Sequence, residues 1–599
     1  MVNSVFVNTQ GLYQRRRAFN MSYRNDYTCC LGELIPVYWQ DLLPNSSWHC
    51  RAYGLIRFLP MVAPIMDNID YYIHFWQAPR RILEGEEFTQ MITGELEAED
   101  WPGIYFIPQQ INLLLEDALE TGTGYLVGNG SIFDMLGYDL TLFNYSGDGS
   151  LGKLNARKFI MYIRLLRNWY TNENIEPYEG FLSGTEAFDK LDYLATYDDG
   201  DISALIVDFL VGVYTQFGTA GYIGHAWPKD YLTSALPTLQ YGLPTYLPLA
   251  DSAPVTIDHS QLVTLFGQAP NGLEVQAHDV FGTSGELGEL LVKVASDGKT
   301  GLLTADGAVG AEVVQKITGH LRKGDGSTAT DIEGTADLSE ATAITINELR
   351  IANALQVFKE REMRFGRKAP EYYKGFYGVS PGDLRLQLPK FLGGGRLAVN
   401  VSDVEQTAGY KSDNTDMPLG TLAGKGTAVG AFAKASTFTA EEALVLGVAW
   451  LMPKVTYAQC LSRHDTKLND RFDYYNPSFA HIGEQEVFNY EAFAGTYGTP
   501  TGSREFGYQP RYTEYRFHMN EMHGDFKGSL SYWTLGRIFD SQPALNADFI
   551  YMQPLALNRV FASVQDSSNH PVRNVLASIQ FVVSVIQPLS RYGTPGLMP

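Results

Sequence analysis

The hydrophobic pattern of the chain consists mainly of short apolar runs separated by prolines and polar loops. Within residues 31–81 these runs are cut by prolines, and the aromatic and β-branched run 71–76 predicts a buried strand. Pro60 and Pro64 exclude a helix in this region, because proline removes an amide donor and clashes with the preceding turn. Later apolar runs predict further strands, at residues 444–452, 512–519, 547–552 and 579–585.

Three segments carry the spacing of helices instead. In residues 154–170 apolar side chains such as Phe159 and Ile163 recur on one helical face, and residues 346–365 and 108–119 show similar spacing. The predicted strands lie far apart in sequence and lack the regular strand–helix alternation of an α/β enzyme. The pattern therefore predicts a mainly β protein, a jelly-roll β-sandwich with large inserted loops and a few helices.

Two parts of the chain differ in composition from the rest. Residues 1–28 are polar, with one basic triplet at positions 15–17, and we predict that they form an extended N-terminal arm. Residues 251–343 contain two phenylalanines but no tryptophan or tyrosine. Small and polar residues replace the aromatic ones, which predicts loops and small exposed strands that project from the main body.

Composition limits the class of protein. The 599 residues carry 45 basic and 67 acidic side chains, a formal net charge of −22, and 45% of them are hydrophobic. Such a chain can bury a large core, so it is not a disordered protein. Its acidity argues against binding nucleic acid through overall charge, so any nucleic-acid contact must rest on local basic patches.

The cysteines and the N-terminal residues predict a soluble protein of a reducing cytosol. The N-terminus lacks the basic start and apolar run of a signal peptide, and the most apolar stretch, residues 202–217, is too short and too polar to cross a bilayer. No CxxC pair occurs, and we expect all four cysteines to be buried thiols. They are Cys29, Cys30, Cys50 and Cys460.

No arrangement of catalytic residues is visible in the sequence. His518, Glu521 and His523 resemble a zinc protease motif, but the two histidines are five positions apart rather than four, and we expect a strand here. Residues 420–426 resemble a phosphate-binding loop that lacks one spacer residue and the Ser or Thr that binds magnesium, so we expect a surface loop. We predict no enzyme activity, no metal site and no cofactor.

Two basic patches stand out from the acidic chain. One is the triplet of the N-terminal arm, and in the other cations alternate with tyrosines. Rings that stack on bases beside cations that meet phosphates are typical of single-strand binding surfaces. Pairing with acidic neighbours and packing at a subunit contact remain open alternatives. The residues predicted to face DNA or to lie at a subunit contact are Arg15, Arg16, Arg17, Arg364, Arg367, Lys368, Lys374, Tyr372 and Tyr373.

A series of motifs follows one order from residue 32 to residue 597. They are GELIPV at 32–37, QDLLP at 40–44, RFLPMVAPIM at 57–66, KDYLTSALP at 229–237, TINELR at 345–350, FYGV at 376–379, DLRLQLPKFLGG at 383–394, HGDF at 523–526 and YGTPGL at 592–597. In this series the chain resembles the major capsid protein of the Microviridae, small icosahedral single-stranded DNA phages, and most of all their gokushovirus-like branch.

The resemblance implies a single eight-stranded jelly-roll domain over residues 29–599. It also implies a T=1 shell of sixty copies, assembled through pentamers in the bacterial host cytoplasm, that packages circular single-stranded DNA. Further implied partners are a small basic DNA-binding protein, a pilot or minor protein and a host surface receptor, without membrane insertion. Residues 171–224 and 251–334 match only in position and are expected to be variable inserted loops, with 251–334 as the candidate protrusion at the three-fold axis.

Two alternatives come from other classes of protein. A secreted carbohydrate-binding or hydrolysing β-sandwich would explain the abundant tyrosines and carboxylates, but it requires a signal peptide and a pair of opposed carboxylates. A cytosolic metalloenzyme with a cupin-like jelly roll requires clustered histidine and carboxylate ligands, whereas the eleven histidines are scattered along the chain.

Overall fold

The structure is a computed structural model that describes residues 15–591, apart from residues 86–87, 89–103, 120–123, 139, 141–151, 173–198, 218–222, 241–272, 277–289, 295–299, 304–345, 366–387, 406, 408–409, 413–414, 418–419, 421, 467–470 and 565–571. The chain divides into two compact units. They are Met1–Gly242 with Lys359–Pro599, and Leu243–Phe358.

Most of the regular structure in the described residues is β-strand. In chain order the strands are β1 (Arg17–Asn20), β2 (Tyr23–Cys29), β3 (Ile35–Leu42), β4 (Ser46–Phe58), β5 (Ile69–Pro79), β6 (Tyr105–Phe106), β7 (Leu154–Asn155), β8 (Leu273–Gln276), β9 (Leu290–Val294), β10 (Thr300–Leu303), β11 (Lys390–Glu405), β12 (Tyr410–Ser412), β13 (Thr415–Met417), β14 (Leu422–Thr439), β15 (Ala443–Pro453), β16 (Glu484–Phe488), β17 (Glu505–Pro510) and β18 (Val575–Gln587).

The large sheet is a jelly roll. Its strands follow the order β1–β18–β4–β14–β11–β5–β15–β3, with β2 also paired to β18, and every pairing is antiparallel. This order contains two four-stranded sheets, β2–β18–β4–β14 and β3–β15–β5–β11, joined where β14 pairs with β11. Strands that are distant in sequence alternate within each sheet, which is the connectivity of an eight-stranded jelly roll. The structure thus confirms the predicted fold class.

Aromatic side chains from both sheets fill the space between them. Tyr38 packs against Trp48, Phe75 and Phe581 with ring centroids 4.9–5.8 Å apart. The Trp48 indole N–H donates a hydrogen bond of 2.9 Å to the Tyr38 hydroxyl, so the polar ends of these buried side chains satisfy each other. The buried residues of β4 and β18 alternate strictly with exposed ones, because one face of each strand lies on this core.

The two sheets differ in what covers their outer faces. β15 is buried at nearly every position, because its outer face is also covered. Part of the cover is the helix Arg157–Leu165 and the π-helical turn Leu166–Tyr170 that continues it, from which the Tyr170 hydroxyl accepts a 3.0 Å hydrogen bond from Trp76. The outer face of the β2–β18–β4–β14 sheet instead stays exposed at every second position of β4 and β18.

Four of the helices in the described residues have nine or more residues, and the others have four or five. In chain order they are α1 (Arg80–Glu84), α2 (Pro108–Ala118), α3 (Gly124–Val127), α4 (Ile132–Met135), α5 (Arg157–Leu165), α6 (Asp199–Phe217), α7 (Ile346–Phe365), α8 (Arg463–Thr466), α9 (Asn489–Ala492), α10 (Ala547–Ile550) and α11 (Pro554–Leu557). The helices predicted at 108–119, 154–170 and 346–365 are confirmed by α2, by α5 with its π-helical turn, and by α7. The strands predicted at 71–76, 444–452 and 579–585 lie within β5, β15 and β18.

Two predicted strands are wrong. Residues 512–519 contain a 3₁₀ turn, Thr513–Tyr515, because Tyr512 has a left-handed backbone with φ of 65° that ends the extended chain. The strand context expected for His518 is therefore absent. Residues 547–552 begin with α10, because the Asn546 side chain accepts a 3.0 Å hydrogen bond from the Phe549 amide and caps the helix.

One segment predicted as a surface loop contains a strand. β14 begins at Leu422, within residues 420–426. Glycines permit this close pairing: a Cβ on Gly424 would lie 2.6 Å from the Ala63 carbonyl oxygen, and a Cβ on Gly426 would lie 2.4 Å from the Phe58 ring. The phosphate-loop pattern is therefore part of a strand.

The segments predicted as an arm and as inserted loops are described in part. In the arm, β1 and β2 pair with the same edge of β18, and residues 1–14 lie outside the described residues. α6 occupies residues 199–217 of the segment 171–224. In the segment 251–334 the described residues form the three-stranded antiparallel sheet β10–β9–β8, which belongs to the second unit.

Candidate nucleic-acid interface

The exposed face of the β2–β18–β4–β14 sheet is strongly cationic. Five basic side chains occupy its exposed positions, whereas Asp26 is the one exposed acidic residue on these four strands. Asp26 is itself ion-paired, at 2.8 Å, with the basic residue Arg24. We call this surface the basic sheet face; its cations are Arg24, Arg51, Arg57, Lys425 and Lys434.

Strand register places cations of this face next to each other. Arg51 of β4 lies directly opposite Lys434 of β14, and Arg57 lies opposite Thr427, two positions from Lys425. Like charges directly opposite on antiparallel strands repel, which destabilises the sheet in the absence of an anion. In the part of the chain that the structure describes, none of these four cations forms an ion pair. An extended polyanion lying across both pairs would relieve this repulsion.

The arginine triplet lies at one end of the basic sheet face. The Arg16 guanidinium donates a hydrogen bond to the Ser47 hydroxyl and lies 5.5 Å from the centroid of the Phe438 ring. Ser47 and Phe438 are cross-strand partners on β4 and β14. From Ser47 to Arg57 the face extends for about 33 Å, at roughly 3.3 Å per strand residue. Arg15 and Arg17 are exposed beside Arg16.

Apolar and aromatic side chains are interspersed with these cations. Tyr53 is 43% exposed and Phe438 57%, and Val429 and Val582 also face solvent. Tyr53 lies on β4 two residues from Arg51, so a ring and a guanidinium share one face of one strand. A surface that offers both rings and cations can contact the bases as well as the phosphates of a single strand.

The second predicted patch is arranged differently. The Arg364 guanidinium is ion-paired with the Glu484 carboxylate, which is almost fully buried. Burial raises the pKa of Glu484, and the neighbouring Arg364 opposes that rise. The charge of Arg364 is therefore largely compensated within the chain. The other five residues of this patch belong to the segment 366–387, outside the described residues. They are Arg367, Lys368, Tyr372, Tyr373 and Lys374.

Sequence reasoning missed most of the basic sheet face. Residues 49–57 carry a readable signal, because polar or bulky side chains alternate there with small and apolar ones, as in a strand with one exposed face. Lys425 and Lys434 carry no comparable signal, since they lie in a stretch rich in glycine and alanine. Only the register of β14 against β4 brings the two sets of cations together.

The described residues contain no arrangement suited to metal chemistry. No group of three or more His, Cys, Asp or Glu side chains within them could hold a metal ion. In the segment that resembles a protease motif, His523 contacts Glu521 at 3.3 Å, and His518 contacts the Met519 carbonyl instead. No helix among the described residues has the length and apolar character needed to cross a membrane.

Comparison with known proteins gives the family of the chain. Residues 7–597 match the model of a phage protein family described as capsid protein (F protein). The chain belongs to this capsid protein family. Capsid protein VP1 of Bdellovibrio phage phiMH2K is 28% identical over 603 residues, which cover 98% of this chain and 97% of that protein.

Two further members of the family are similar over most of their length. Capsid protein VP1 of Chlamydia phage 1 is 28% identical over 97% of this chain and 96% of its own. Capsid protein VP1 of Spiroplasma virus 4 is 26% identical over 97% of this chain and 93% of its own. The chain is therefore a structural protein of a phage virion that self-assembles into a capsid shell, and not an enzyme. The carbohydrate-binding alternative is not supported.

Proposed function

We propose that this capsid protein forms a T=1 shell of sixty copies around circular single-stranded DNA, with the basic sheet face directed towards the DNA. The observation that carries the proposal is the pair of opposed cations Arg51 and Lys434, which lie on neighbouring strands without an acidic partner in the described residues. A phosphate backbone supplies the anion that this arrangement lacks.

The asymmetry of the sandwich supports this orientation. The subunit covers the outer face of β15 and part of β5 with its own helix and loops, and it leaves the basic sheet face bare. The formal net charge of the chain is −22, so the concentration of cations on this face is local. Acidic side chains elsewhere repel nucleic acid, and a chain in this orientation presents its cationic side to the DNA.

The remaining parts of the proposal follow the family resemblance. We propose that shells assemble through pentamers in the host cytoplasm, together with a small basic DNA-binding protein and a pilot or minor protein. The inserted segment 251–334, rather than 171–224, then protrudes at the three-fold axis and contacts the host receptor.

The test removes the opposed cations and measures single-strand binding. The triple variant Arg51→Gln, Arg57→Gln and Lys434→Gln keeps polar side chains of similar length at three exposed positions. Binding to a fluorescent thymidine oligonucleotide is measured by anisotropy over a range of salt concentrations. Each lost phosphate contact lowers the slope of log Kd against log salt by about 0.7 for single strands, so the slope falls by about 2.

A matched variant controls for the loss of net charge. Arg396→Gln, Arg504→Gln and Lys527→Gln remove three exposed cations that lie off the basic sheet face. We expect this control to change the salt slope by less than half as much. An equal effect of the two triple variants would mean that overall charge governs binding, and an unchanged slope in the first variant would overturn the proposed orientation.

The arginine triplet provides a second test in assembled particles. We propose that Arg15, Arg16 and Arg17 extend the basic sheet face at its Phe438 end, since Arg16 lies over that ring. Their replacement by glutamine lowers the DNA content or the yield of particles, measured by the ratio of absorbance at 260 and 280 nm after sedimentation. Filled particles in unchanged yield would contradict this role.

A further inference from the structure

The long connection between β15 and β18 carries an exposed cluster of tyrosines. Tyr474 is 54% exposed, Tyr475 55% and Tyr515 49%. The ring centroids of Tyr475 and Tyr515 are 6.2 Å apart, and the backbone carbonyl of Tyr474 is tied to the same cluster by a hydrogen bond from the Tyr512 hydroxyl. We call Tyr474, Tyr475 and Tyr515 the tyrosine surface. It lies outside the basic sheet face and none of its residues belongs to the sites described above.

Buried and partly buried rings support this surface from below. The Tyr512 ring is buried and lies 5.1 Å from Tyr475 and 6.2 Å from Tyr515. The His464 ring meets Tyr515 nearly edge-on at 4.8 Å. The Arg511 guanidinium lies 5.0 Å from the Tyr512 ring centroid. The exposed rings therefore stand on a packed base and have few conformations to lose on binding, which favours contact with a partner.

The backbone beneath the cluster is strained. Tyr512 has a positive φ of 65°, a conformation that residues other than glycine, asparagine and aspartate rarely adopt. Its amide donates a 3.0 Å hydrogen bond to the side-chain oxygen of Gln485, and the Gln485 side-chain amide donates in turn to the Glu514 carboxylate at 2.7 Å. Such outliers persist where the surrounding structure holds them in place, and they concentrate at binding and switch regions.

The size and composition of the surface fit a protein partner. At about half exposure, three tyrosine rings present about 300 Å² to solvent, taking roughly 200 Å² for each full ring. One partner of a standard interface contributes about 800 Å². Tyrosine is enriched at the centres of such interfaces, whereas isolated exposed rings scattered over a monomer need no explanation.

The charges and the ring geometry of the tyrosine surface indicate which kind of partner it binds. The charged residues that flank Tyr474, Tyr512 and Tyr515 in the sequence are two carboxylates and two cations, so the surface lacks the cationic excess that a nucleic acid requires. They are Asp473, Arg511, Glu514 and Arg516. Tyr475 is inclined by 68° to Tyr512 and by 62° to Tyr515, so the rings do not form the flat platform on which a sugar stacks. The family assembles into shells, so every copy must contact other copies.

We infer that the tyrosine surface anchors a contact with a neighbouring copy of this chain in the shell. The contact is made mainly by the area of the rings, with Tyr475 and Tyr515 at its centre. The strained turn at Tyr512 positions both rings in the unassembled chain, so little reorganisation is needed on binding. The inference rests on shell formation, and it is independent of whether the basic sheet face meets DNA.

The test compares variants in the reaction in which the unsubstituted chain forms shells. Tyr475→Ala with Tyr515→Ala removes the centre of the surface. We expect the protein concentration at half-assembly, measured by light scattering and electron microscopy, to rise at least tenfold. The melting temperature of the unassembled chain stays within about two degrees of the unsubstituted chain, because both rings are half exposed. Tyr475→Phe with Tyr515→Phe retains the ring area and assembles at the original concentration.

Tyr497→Ala is the matched control, because Tyr497 is 48% exposed on the same connection but packs on Tyr490 instead. Equal loss of assembly in this control would overturn the inference. Normal shells from the alanine pair would also overturn it, and shells that then fail to attach to the host would reassign the surface to host recognition.

A second test uses the unsubstituted chain, so its result does not depend on whether the variants fold. Hydrogen–deuterium exchange of the unsubstituted chain is compared between assembled and unassembled states. We expect peptides covering residues 473–475 and 511–517 to become at least tenfold slower to exchange in the shell. Unchanged exchange in both peptides would overturn the inference, whatever the variants do.

Discussion

The substitution Glu491→Gln tests a buried charge network that holds three distant segments together. Glu491 is fully buried in α9. Its carboxylate accepts hydrogen bonds from the Tyr231 hydroxyl at 2.7 Å, the Arg463 guanidinium at 3.2 Å and the Phe488 amide at 3.0 Å. Burial raises the pKa of Glu491, and Arg463 opposes that rise. Holding the ionised carboxylate thus costs free energy that its three donors offset.

The size of the effect follows from what the glutamine leaves behind. Its carbonyl oxygen can keep the bonds from Phe488 and Arg463, and its amide can donate to the Tyr231 hydroxyl, so the hydrogen-bond count changes little. The carboxylate charge is lost, and Arg463, whose side chain is 17% exposed, loses its ion-pair partner and keeps only the weaker electrostatic interaction with Glu514. Breaking a fully buried pair costs about 3–5 kcal/mol. Because Arg463 retains some contact with water, we expect a loss of about 2–3 kcal/mol in the free energy of unfolding.

The assay is unfolding in urea followed by tryptophan fluorescence. It is repeated at several protein concentrations, because shell formation would make the midpoint depend on concentration. Glu486→Gln is the control, since Glu486 is exposed on the neighbouring strand β16 and its loss should cost less than about 0.5 kcal/mol. A loss below about 0.5 kcal/mol for Glu491→Gln as well would refute the reasoning, because the buried charge would then contribute nothing net.

Three further predictions concern the sandwich and its cover. His225 stacks on Trp450 at 4.4 Å and burial lowers its pKa to about 4, so its neutral form stabilises the fold above pH 6.5 and that contribution fades towards pH 4. When the pH falls from 7 to 5, the free energy of unfolding measured in urea should therefore fall by about 2 kcal/mol less in His225→Phe than in the unsubstituted chain. An equal fall in both proteins would contradict the assignment. Gly395→Ala places a Cβ 1.7 Å from the Phe432 carbonyl oxygen, so we expect the variant to yield little soluble protein. Gly498→Ala is the control, because its Cβ meets nothing within 4 Å. Although the φ of Gly498 is 77°, this variant should remain soluble. Burial raises the pKa of all four thiols, so a thiol reagent at pH 8 should modify them only after urea unfolds the chain; rapid reaction of the folded chain would contradict this.

Strands that bury a continuous or strongly alternating apolar face could be predicted from the sequence. β15 is the clearest case, because both of its faces are covered and its sequence is apolar almost throughout. β14 could not be predicted, because its glycines and alanines carry little intrinsic strand preference. It is a strand because β4 and β11 pair with both its edges, and because Gly424 and Gly426 let neighbouring groups approach its backbone. The short helix α10 has the sequence of a strand, since its apolar residues are too few to show a helical period.

The cationic surface was predictable only in part, for a related reason. The triplet at residues 15–17 is contiguous and therefore visible in the sequence. Arg51 and Lys434 are far apart in the chain, and the register of β14 on β4 is what makes them neighbours. The reverse holds for Arg364, which looks like a free cation in the sequence but is ion-paired with the buried Glu484. Whether a basic residue is available to a partner thus depends on tertiary contacts that a linear pattern does not contain.

The two outer faces of the sandwich differ, because β15 of one sheet is covered by a helix and loops and the other sheet is bare. A jelly roll needs apolar contacts only between its two sheets. β15 also buries its outer face, under a helix and loops, so these covering elements lie on one side of the sandwich. The opposite side keeps the simple alternation of β4 and β18, with cations at the outer positions. In a closed shell only one side of each subunit faces the interior. In the orientation that we propose, the bare cationic sheet faces the interior, where enclosed DNA would neutralise charges that otherwise repel across neighbouring strands. The covered side of the sandwich can then vary in sequence without disturbing that contact.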